Sequence, residues 1–213
     1  MTAVKSARTR SAAKAPSTTQ APAHSHRAAP HEVRIIGGHW KRTKLTVADA
    51  PGLRPTPDRV RETLFNWLGQ DLTGWRCLDA FAGSGALGFE AASRGAVQAT
   101  LLERDRQLAG NLRQLQTRLA ADAVQVVCAD AIAWMRQAAP QSFELIFIDP
   151  PFCAGLFEQA LQVARPLLVA DGLIYLEADR AFEADSVRPL GLEVWRQAKA
   201  GAVHYHLLRP LVG

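Results

Sequence analysis

The stretch from Asp79 to Gly88 carries residue types and a spacing that suit the binding of a nucleotide-like cofactor. It is typical of a strand end, a turn that contains Gly83 and Gly85, and the start of a helix. Glycine lacks a Cβ, so the backbone can turn sharply and a ligand can approach it closely. The new helix also presents free N–H groups in its first turn. The spacing Gly83-x-Gly85-x-x-Gly88 fits the dinucleotide fingerprint as well, but that match alone is weak.

The carboxylate of Asp79 favours S-adenosylmethionine (SAM) over a dinucleotide at this turn. A pyrophosphate binds a helix N-terminus because the potential there is positive, and a carboxylate at the preceding strand end would repel it. SAM has no phosphate, and it carries an ammonium and a sulfonium group, which a carboxylate attracts. A tight strand-to-helix turn without any ligand is the alternative.

Further acids follow other predicted strands, at the edge where ligands of open α/β sheets bind. Glu103 can accept hydrogen bonds from both ribose hydroxyls, although dinucleotide enzymes also use an acid there. Asp130 can accept from the adenine amine, beside the N–H of Ala131, or it can cap the next helix, and one residue can do both. Arg104 is expected to flank the adenosine. The predicted cofactor-binding residues are Asp79, Phe81, Gly83, Ser84, Gly85, Glu103, Arg104, Asp130 and Ala131.

A second motif, Asp149-Pro150-Pro151-Phe152, suits chemistry on the amino group of a nucleobase. Such an amine is a poor nucleophile because its lone pair is delocalised into the ring. The Asp149 carboxylate and the Pro150 carbonyl can accept its two N–H bonds and localise the lone pair, and the prolines hold that carbonyl in place. Phe152 offers a ring on which a flipped base stacks. We predict all four residues to be catalytic, and a proline-rich turn without a chemical role is the alternative.

From Trp75 onward strands and helices alternate, which predicts an α/β fold with a doubly wound, mostly parallel sheet of seven strands. The last two predicted strands, Leu192–Gln197 and Val203–Leu208, indicate an antiparallel C-terminal hairpin. A small N-terminal β-hairpin around Gly37 and Gly38 precedes a helix with Pro57 in its first position. The five earlier core strands are predicted at Arg76–Ala80, Ala99–Glu103, Val124–Cys128, Phe143–Ile148 and Leu173–Glu177.

Charge is unevenly distributed along the 213 residues, although the net charge is only +5. Residues 1–62 hold twelve Lys and Arg against four Asp and Glu, whereas residues 63–213 hold thirteen against sixteen. A basic N-terminal part and a slightly acidic remainder indicate a polyanionic partner. The alternative is that the basic N-terminal part is a solubilising tail without a partner. We expect residues 1–33 to be a disordered basic extension. Residues 34–70 then form the hairpin and helix that contact the partner, and residues 71–213 form the catalytic core.

The segment from Arg34 to Lys44 combines cations with one tryptophan. Phosphate contact together with base stacking is one use of this mixture, and a solvated hairpin is the alternative. The helix that follows leads into the first cofactor strand, so its polar residues can line the same site. The residues predicted to contact a nucleic acid are Arg34, Trp40, Lys41, Arg42, Lys44, Arg54, Thr56, Arg59 and Arg61.

The patterns of cysteine, histidine and hydropathy argue against other classes of protein. The three cysteines form no CxxC pair, and Cys77 and Cys128 lie in apolar strand-like runs, so we expect buried, reduced thiols in a cytosolic protein. The six histidines lack metal-ligand spacing, so we predict no metal site. No apolar run approaches the length of a membrane span.

Five segments at matching spacing resemble the RsmD family, the 16S rRNA guanine-N2 methyltransferases of bacteria. They are Arg34–Trp40, Gly52–Thr56, Asp58–Asn66, Asp79–Gly88 and Asp149–Phe152. The resemblance covers residues 34 to about 209. It implies a Rossmann-like class I methyltransferase fold, SAM as the cofactor, and methylation of one guanine in 16S rRNA in the head of an assembled small ribosomal subunit. We further expect a cytoplasmic monomer that uses neither a membrane nor a metal.

Three other functions remain open from the residues themselves. The Asp149–Phe152 motif also resembles that of adenine-N6 and cytosine-N4 methyltransferases, so an adenine-N6 methyltransferase acting on DNA or RNA is the main alternative. A SAM-binding or RNA-binding module without catalysis and a nicotinamide oxidoreductase are the others. The preference for guanine comes from the resemblance over residues 34–66, where arginines and Thr56 offer donors to guanine O6. Cys153 stands where relatives often carry a basic residue.

Overall fold

The computed structural model describes residues 1–3, 32–46, 57–151 and 155–211. Most of the expected N-terminal extension lies outside these ranges. The predicted site residues Arg54, Thr56 and Phe152 and the cysteine Cys153 lie outside them too. Within the described ranges the strands pair into one two-stranded and one seven-stranded sheet.

The predicted N-terminal hairpin is present and consists of β1 (Glu32–Arg34) and β2 (Lys44–Thr46), which pair antiparallel. It begins two residues before the predicted boundary at residue 34. Val33 and Leu45 face each other across the pair and are both buried. They belong to an apolar cluster with Phe89, so hydrophobic burial attaches this small hairpin to the main body.

The predicted helix before the core is α1 (Asp58–Leu68). Pro57 occupies its N-cap, with φ −57° and ψ 145°, and not the first helical position expected from the sequence. The apolar stripe of α1 consists of Val60, Leu64, Trp67 and Leu68. It is buried, except that Trp67 is half-buried, and Phe65 joins it. This face packs on the sheet, and the polar residues of α1 are exposed or half-buried, except for Arg61, which is buried.

The larger sheet confirms the predicted fold class: seven strands of the described chain are mostly parallel and end in an antiparallel pair. The order across the sheet is β5-β4-β3-β6-β7-β9-β8. Its strands are β3 (Arg76–Asp79), β4 (Gln98–Glu103), β5 (Val124–Cys128), β6 (Phe143–Ile148), β7 (Leu168–Ala178), β8 (Leu192–Ala200) and β9 (Val203–Pro210).

The core helices are α2 (Ala86–Ser93), α3 (Arg106–Arg118), α4 (Ala131–Met135), α5 (Phe157–Ala164) and α6 (Ala184–Val187). The sequence did not predict α6, which has only four residues. The helix α5 ends at Ala164, and a 3₁₀ turn follows over Arg165–Leu167. Pro166 lies in that turn, and a proline has no N–H with which to continue an α-helix.

The central strands are mostly apolar because both of their faces are covered. Leu145 and Phe147 of β6 belong to the cluster formed with α1 and α2. Ile146 and Ile148 point to the opposite side and pack with α4 and α5. The side covered by α1 and α2 is called the α1 face below.

The prediction that Cys77 and Cys128 are both buried is only half correct. Cys77 of β3 is buried, and burial raises the pKa of its thiol, which therefore stays protonated. Cys128 is exposed, because β5 is the edge strand of the sheet and its end is not covered on both sides.

Candidate active site

The order of the strands reverses between β3 and β6, which are hydrogen-bonded neighbours. In open α/β sheets, ligands bind outside the carboxyl ends of the strands at such a point. Asp79 ends β3 and pairs with Phe147 of β6, and Asp149 lies two residues beyond Phe147. Because side chains alternate along a strand, both carboxylates lie on the α1 face of the sheet at this point.

The predicted glycine turn connects β3 to α2. Gly85 has φ +77° and is the N-cap of α2. A Cβ at this position would lie 2.7 Å from the Leu112 side chain and 2.8 Å from the Phe89 ring. Any other residue would therefore be strained in its backbone and would collide with the core. Phe81 and Ser84 lie on the same turn and are each partly exposed.

Asp79 lies at the base of this turn and is only 2% exposed. Its carboxylate accepts a hydrogen bond of 3.0 Å from the N–H of Gly88 in α2. Burial raises the pKa of Asp79 to about 7, the negative charge of Glu103 adds to the rise, and the bond from Gly88 opposes it. A cation bound in the turn would stabilise the ionised form of this carboxylate.

The carboxylate of Glu103 lies over the other side of the turn. One oxygen accepts a 3.0 Å hydrogen bond from the N–H of Gly83, and the other accepts a 2.8 Å bond from the N–H of Asp105. These bonds fix the carboxylate at the end of β4. A carboxylate has about four acceptor positions, so it can also accept from ligand hydroxyls.

The remaining predicted cofactor residues lie at the ends of β4 and β5. Arg104 is exposed and directly follows β4. Asp130 caps α4, since its carboxylate accepts a 2.9 Å hydrogen bond from the N–H of Ala133. The capping role that the sequence left open for Asp130 is therefore present. Ala131 is the first residue of α4 and is buried.

The second motif follows β6 on the same edge. Asp149 is partly exposed, Pro150 is buried and Pro151 is exposed. The negative charge of Asp149 is one of the causes that raise the pKa of the Tyr175 phenol, so these two side chains are near neighbours. The motif thus presents a carboxylate beside the switch point.

The sequence reasoning missed a further acid, Glu177, which lies near the end of β7. It is 4% exposed, and one of its oxygens accepts a 2.9 Å hydrogen bond from the hydroxyl of Tyr175. The sequence did contain a signal for this residue. Asp79, Glu103 and Asp149 were predicted as site residues because each is an acid at the end of a predicted strand. Glu177 closes the predicted strand Leu173–Glu177 and satisfies the same rule.

Most predicted RNA-contacting side chains within the described ranges are accessible. The exposed ones are Arg34, Lys41, Arg42, Lys44 and Arg59, and Trp40 is half-buried. Lys44 forms a 2.7 Å ion pair with Glu32 across the hairpin, and both side chains are more than half exposed. Such a pair contributes little to stability, so it leaves Lys44 available to a phosphate.

Arg61 corrects the prediction, because its side chain is 0% exposed. It donates to the backbone oxygen of Arg34 at 2.8 Å and pairs with Asp58 at 2.6 Å and with Glu90 at 3.4 Å. The guanidinium therefore joins α1 to the hairpin and to α2. This structural place explains the arginine without any contact with RNA.

Glu90 of α2 is the centre of this buried network and is also 0% exposed. It accepts 2.8 Å hydrogen bonds from the N–H groups of Ile36 and Gly37, and it pairs with Arg94 at 2.8 Å and with Arg61. Backbone donors and two cations thus surround one carboxylate, which compensates for its removal from water.

The turn of the hairpin is bonded to Ser93, the last residue of α2. The N–H of His39 donates to the Ser93 carbonyl at 2.7 Å, and the N–H of Trp40 donates to its hydroxyl at 2.9 Å. Gly38 is required at this approach, because a Cβ there would lie 1.8 Å from the Ser93 carbonyl oxygen. The hairpin turn therefore lies at the end of α2 that is farthest from Gly85.

A polar cleft of about 440 Å³ separates this turn from α1. It is distinct from the glycine turn, since none of its lining residues belongs to the stretch from Asp79 to Gly88. Arg94 and Gln70 are hydrogen-bonded to each other in its wall. The lining residues are Ile36, Gly37, Gly38, Lys41, Glu62, Asn66, Gln70 and Arg94.

Two kinds of feature are absent from the described ranges. Among these residues, no three His, Cys, Asp or Glu side chains are grouped so that they could hold a metal ion. No helix within the same ranges is long and apolar enough to cross a membrane.

A mostly parallel sheet that ends in an antiparallel pair, with acids on both sides of its switch point, defines a Rossmann-like methyltransferase. A solved precorrin-6y C5,15-methyltransferase from Geobacter metallireducens has the same fold, with a TM-score of 0.61 at 21% identity. At this identity the likeness shows the fold alone.

Residues 33–209 match the family described as Conserved hypothetical protein 95, and the chain belongs to this family, which confirms its resemblance to the RsmD family. Ribosomal RNA small subunit methyltransferase D of Escherichia coli strain K12 is 43% identical over 178 residues, which cover 83% of this chain and 89% of the relative. The protein of that name from Haemophilus influenzae is 40% identical over 181 residues, 83% of this chain and 93% of the relative. The solved structure of Escherichia coli yhhF has a TM-score of 0.72 at 41% identity, over 84% of this chain and 98% of that one.

Proposed function

We propose that this methyltransferase transfers a methyl group from SAM to the exocyclic N2 amine of one guanine in 16S rRNA of the small ribosomal subunit. We further propose that it acts in the cytoplasm as a monomer. The observation that supports the proposal is that Asp149 directly follows β6, which pairs at the switch point with β3, the strand that Asp79 ends. The names of the relatives from Escherichia coli and Haemophilus influenzae support the choice of small-subunit rRNA.

The residues around the glycine turn fit SAM by their chemistry. When bound there, SAM supplies the methyl group as an electrophilic carbon on a sulfonium. The buried carboxylate of Asp79, whose pKa is raised to about 7, gains from a neighbouring cation such as the SAM ammonium. Glu103, fixed by Gly83 and Asp105, would hold the ribose hydroxyls, and Arg104, Asp130 and Ala131 would flank the adenine.

Asp149 and Pro150 would prepare the amine for the reaction. The carboxylate and the Pro150 carbonyl accept the two N–H bonds of guanine N2, which localises the nitrogen lone pair. Bound SAM would supply the methyl group to this nitrogen. Asp149 would then accept one proton from the nitrogen along their hydrogen bond, and the proton would pass to water. The chemistry needs positioning and acceptors, so no covalent intermediate with the protein is formed.

Exposed cations of residues 34–70 would contact the RNA phosphates. Arg34, Lys41, Arg42 and Lys44 lie on the hairpin, and Arg59 lies in the first turn of α1. Residues 71–213 would form the catalytic core, and residues 1–33 would be a dispensable basic extension. Phosphate contacts supply affinity and orientation without reading the sequence of the RNA.

The test is labelled methyl transfer onto small ribosomal subunits purified from a bacterial strain that lacks the enzyme. The labelled RNA is digested to nucleosides, and the methylated one is identified by mass spectrometry. N2-methylguanosine at a single mapped position is the expected product. N6-methyladenosine would show that the adenine-N6 alternative is correct, and the absence of any label would contradict enzymatic activity on this particle.

A further inference from the structure

Glu177 and Tyr175 form a buried pair on β7 beside the proposed catalytic motif. The Tyr175 hydroxyl is a donor, and it holds one oxygen of Glu177 at 2.9 Å. Tyr175 is 0% exposed and Glu177 is 4% exposed, so both residues are almost entirely buried. A buried carboxylate is costly unless hydrogen bonds compensate for its lost hydration, so it is retained only where its environment supplies donors.

The strand register places this pair next to Asp149. β6 and β7 are parallel, with Phe147 opposite Tyr175 and Ile148 opposite Leu176. Asp149 directly follows the last residue of β6, and Glu177 is the next residue of β7. Phe147 and Tyr175 are in ring contact on the α1 face, and alternation brings Asp149 and Glu177 to the same face. Adjacent strands are about 4.8 Å apart, so two carboxylates stand side by side at this edge.

The electrostatics are consistent with one connected cluster. The pKa of the Tyr175 phenol is raised well above its ordinary value, first by burial and then by the negative charges of Glu177 and Asp149. The phenol is therefore neutral, and its O–H donates a hydrogen bond to Glu177. Since a carboxylate has about four acceptor positions, the bond from Tyr175 orients Glu177 and leaves it able to accept from a further donor.

We propose that Glu177 determines the specificity for guanine by accepting the N1–H of the target base, while Asp149 and Pro150 accept the neighbouring N2 amine. This inference rests on the proposed function. The Watson–Crick edge of guanine carries N1–H and N2–H₂ as adjacent donors, which match two adjacent carboxylates. Adenine carries an unprotonated N1, whose lone pair would face the carboxylate of Glu177, so this base is repelled. Specificity thus comes from an attraction and a repulsion at one atom.

Tyr175 is the positioning residue in this arrangement. Its hydroxyl fixes the rotamer of Glu177, and its ring packs against Phe147 in the core. Removing the hydroxyl keeps the ring contacts but removes one of the hydrogen bonds that orient the carboxylate. Tyr175→Phe should therefore weaken the discrimination at N1 in the same direction as a change of Glu177, but less strongly.

The experiment compares guanine with 2-aminopurine at the mapped target position, in small-subunit particles reconstituted with synthetic RNA. The analogue keeps the methyl-accepting 2-amine, but its N1 is an acceptor and it lacks O6. Initial rates of labelled methyl transfer give kcat/KM for each base with the wild-type enzyme and with Glu177→Gln. The amide of glutamine can donate to an unprotonated N1. The loss of O6 affects both enzymes alike. The guanine to 2-aminopurine ratio of kcat/KM for the wild-type enzyme, divided by the same ratio for Glu177→Gln, therefore isolates the contact at N1.

The wild-type enzyme should prefer guanine by about 100-fold or more, since a site built around a substrate N–H rejects an analogue that lacks it. Glu177→Gln should reduce that preference at least about tenfold, while calorimetry shows SAM affinity within about twofold of wild type. An unchanged preference in a folded Glu177→Gln protein would overturn the inference. If that variant does not fold, Tyr175→Phe must show a reduced preference, and an unchanged one overturns the inference equally.

A matched control separates this result from a general loss of stability. Glu193→Gln makes the same chemical change at the partly exposed ion pair with Arg209 on β8 and β9, and it should leave the base preference unchanged. A failure of the proposed function would show in a different measurement. In that case the wild-type enzyme would form no N2-methylguanosine on the particles that carry guanine. A reduced preference in both Glu193→Gln and Glu177→Gln would also overturn the specific role of Glu177.

Discussion

Replacing Glu90 with alanine tests whether the buried network holds the N-terminal hairpin on α2. Glu90 accepts 2.8 Å hydrogen bonds from the N–H groups of Ile36 and Gly37 and pairs with Arg61 and Arg94. The alanine variant removes the acceptor that these four groups share. Two guanidiniums and two backbone donors, all buried or partly buried, then lose a charged partner.

The expected magnitude follows from these contacts. Removing one partner of a buried ion pair costs about 3–5 kcal/mol. Each hydrogen bond to a charged group contributes about 1.5–3 kcal/mol, but these costs do not add in full because the hairpin can undock and become hydrated. We expect the free energy of unfolding to fall by about 3–5 kcal/mol, a large part of the roughly 5–15 kcal/mol of an ordinary domain. At about 2–4 °C per kcal/mol, Tm should fall by roughly 6–20 °C.

Urea unfolding followed by tryptophan fluorescence measures this loss, and Trp40 on the hairpin reports its docking. Glu193→Ala is the matched control, because it removes a carboxylate from an exposed pair with Arg209 and should change stability by about 0–1 kcal/mol. If Glu90→Ala is unfolded as purified, the milder Glu90→Gln replaces it. A loss below about 1 kcal/mol, no larger than the control, would refute the reasoning and leave the apolar contacts as the anchor of the hairpin.

Three further predictions concern other parts of the site. Asp149→Ala should lower the rate of methyl transfer about 100-fold or more while calorimetry shows that SAM still binds; loss of SAM binding would contradict its role. Because the folded-state pKa of Asp79 is raised from 3.8 to about 7, its protonated form stabilises the fold at low pH, and this contribution is lost as the pH rises from about 4 to about 7. Asp79→Asn should remove that pH dependence from urea unfolding curves, and a variant with the wild-type slope would exclude Asp79 as its cause. Arg59→Ala should lower the salt slope of RNA binding by about 0.7–0.9 without changing Tm, whereas Arg61→Ala should lower Tm; the opposite pattern would contradict their placements.

The features that the sequence predicted well are those with local causes. Gly85 combines a positive φ with a strand end before it and a helix after it, and all three signals lie within one short stretch. The same holds for Asp149, which directly follows an apolar strand and precedes two prolines. Parallel strands bring their carboxyl ends to one edge, so local signals were sufficient to place these residues at the same edge of the sheet.

The features that it missed depend on contacts between distant parts of the chain. Arg61 is an arginine on a polar stretch of helix, and only its partners Glu90 and Arg34, 29 and 27 residues away, show that it is buried. Glu177 was overlooked for a different reason. It ends its predicted strand as Glu103 does, so the same signal was present, but its hydrogen bond with Tyr175 becomes visible only when the side chains are placed.

The attachment of the hairpin turn to Ser93 has a consequence for substrate choice. α2 has eight residues and begins after Gly85, so about 12 Å of rigid helix separates the hairpin turn from the cofactor turn. If the hairpin contacts RNA phosphates while the target base enters beside the cofactor turn, as proposed, these two RNA contacts form a bivalent binder with a fixed span. A folded RNA that presents its two sites at this separation meets the second one at high effective concentration, whereas a flexible RNA of the same sequence loses most of that advantage. The fixed separation of the two contacts would then favour a preassembled particle over free RNA. A compact enzyme can achieve this selection without a separate recognition domain.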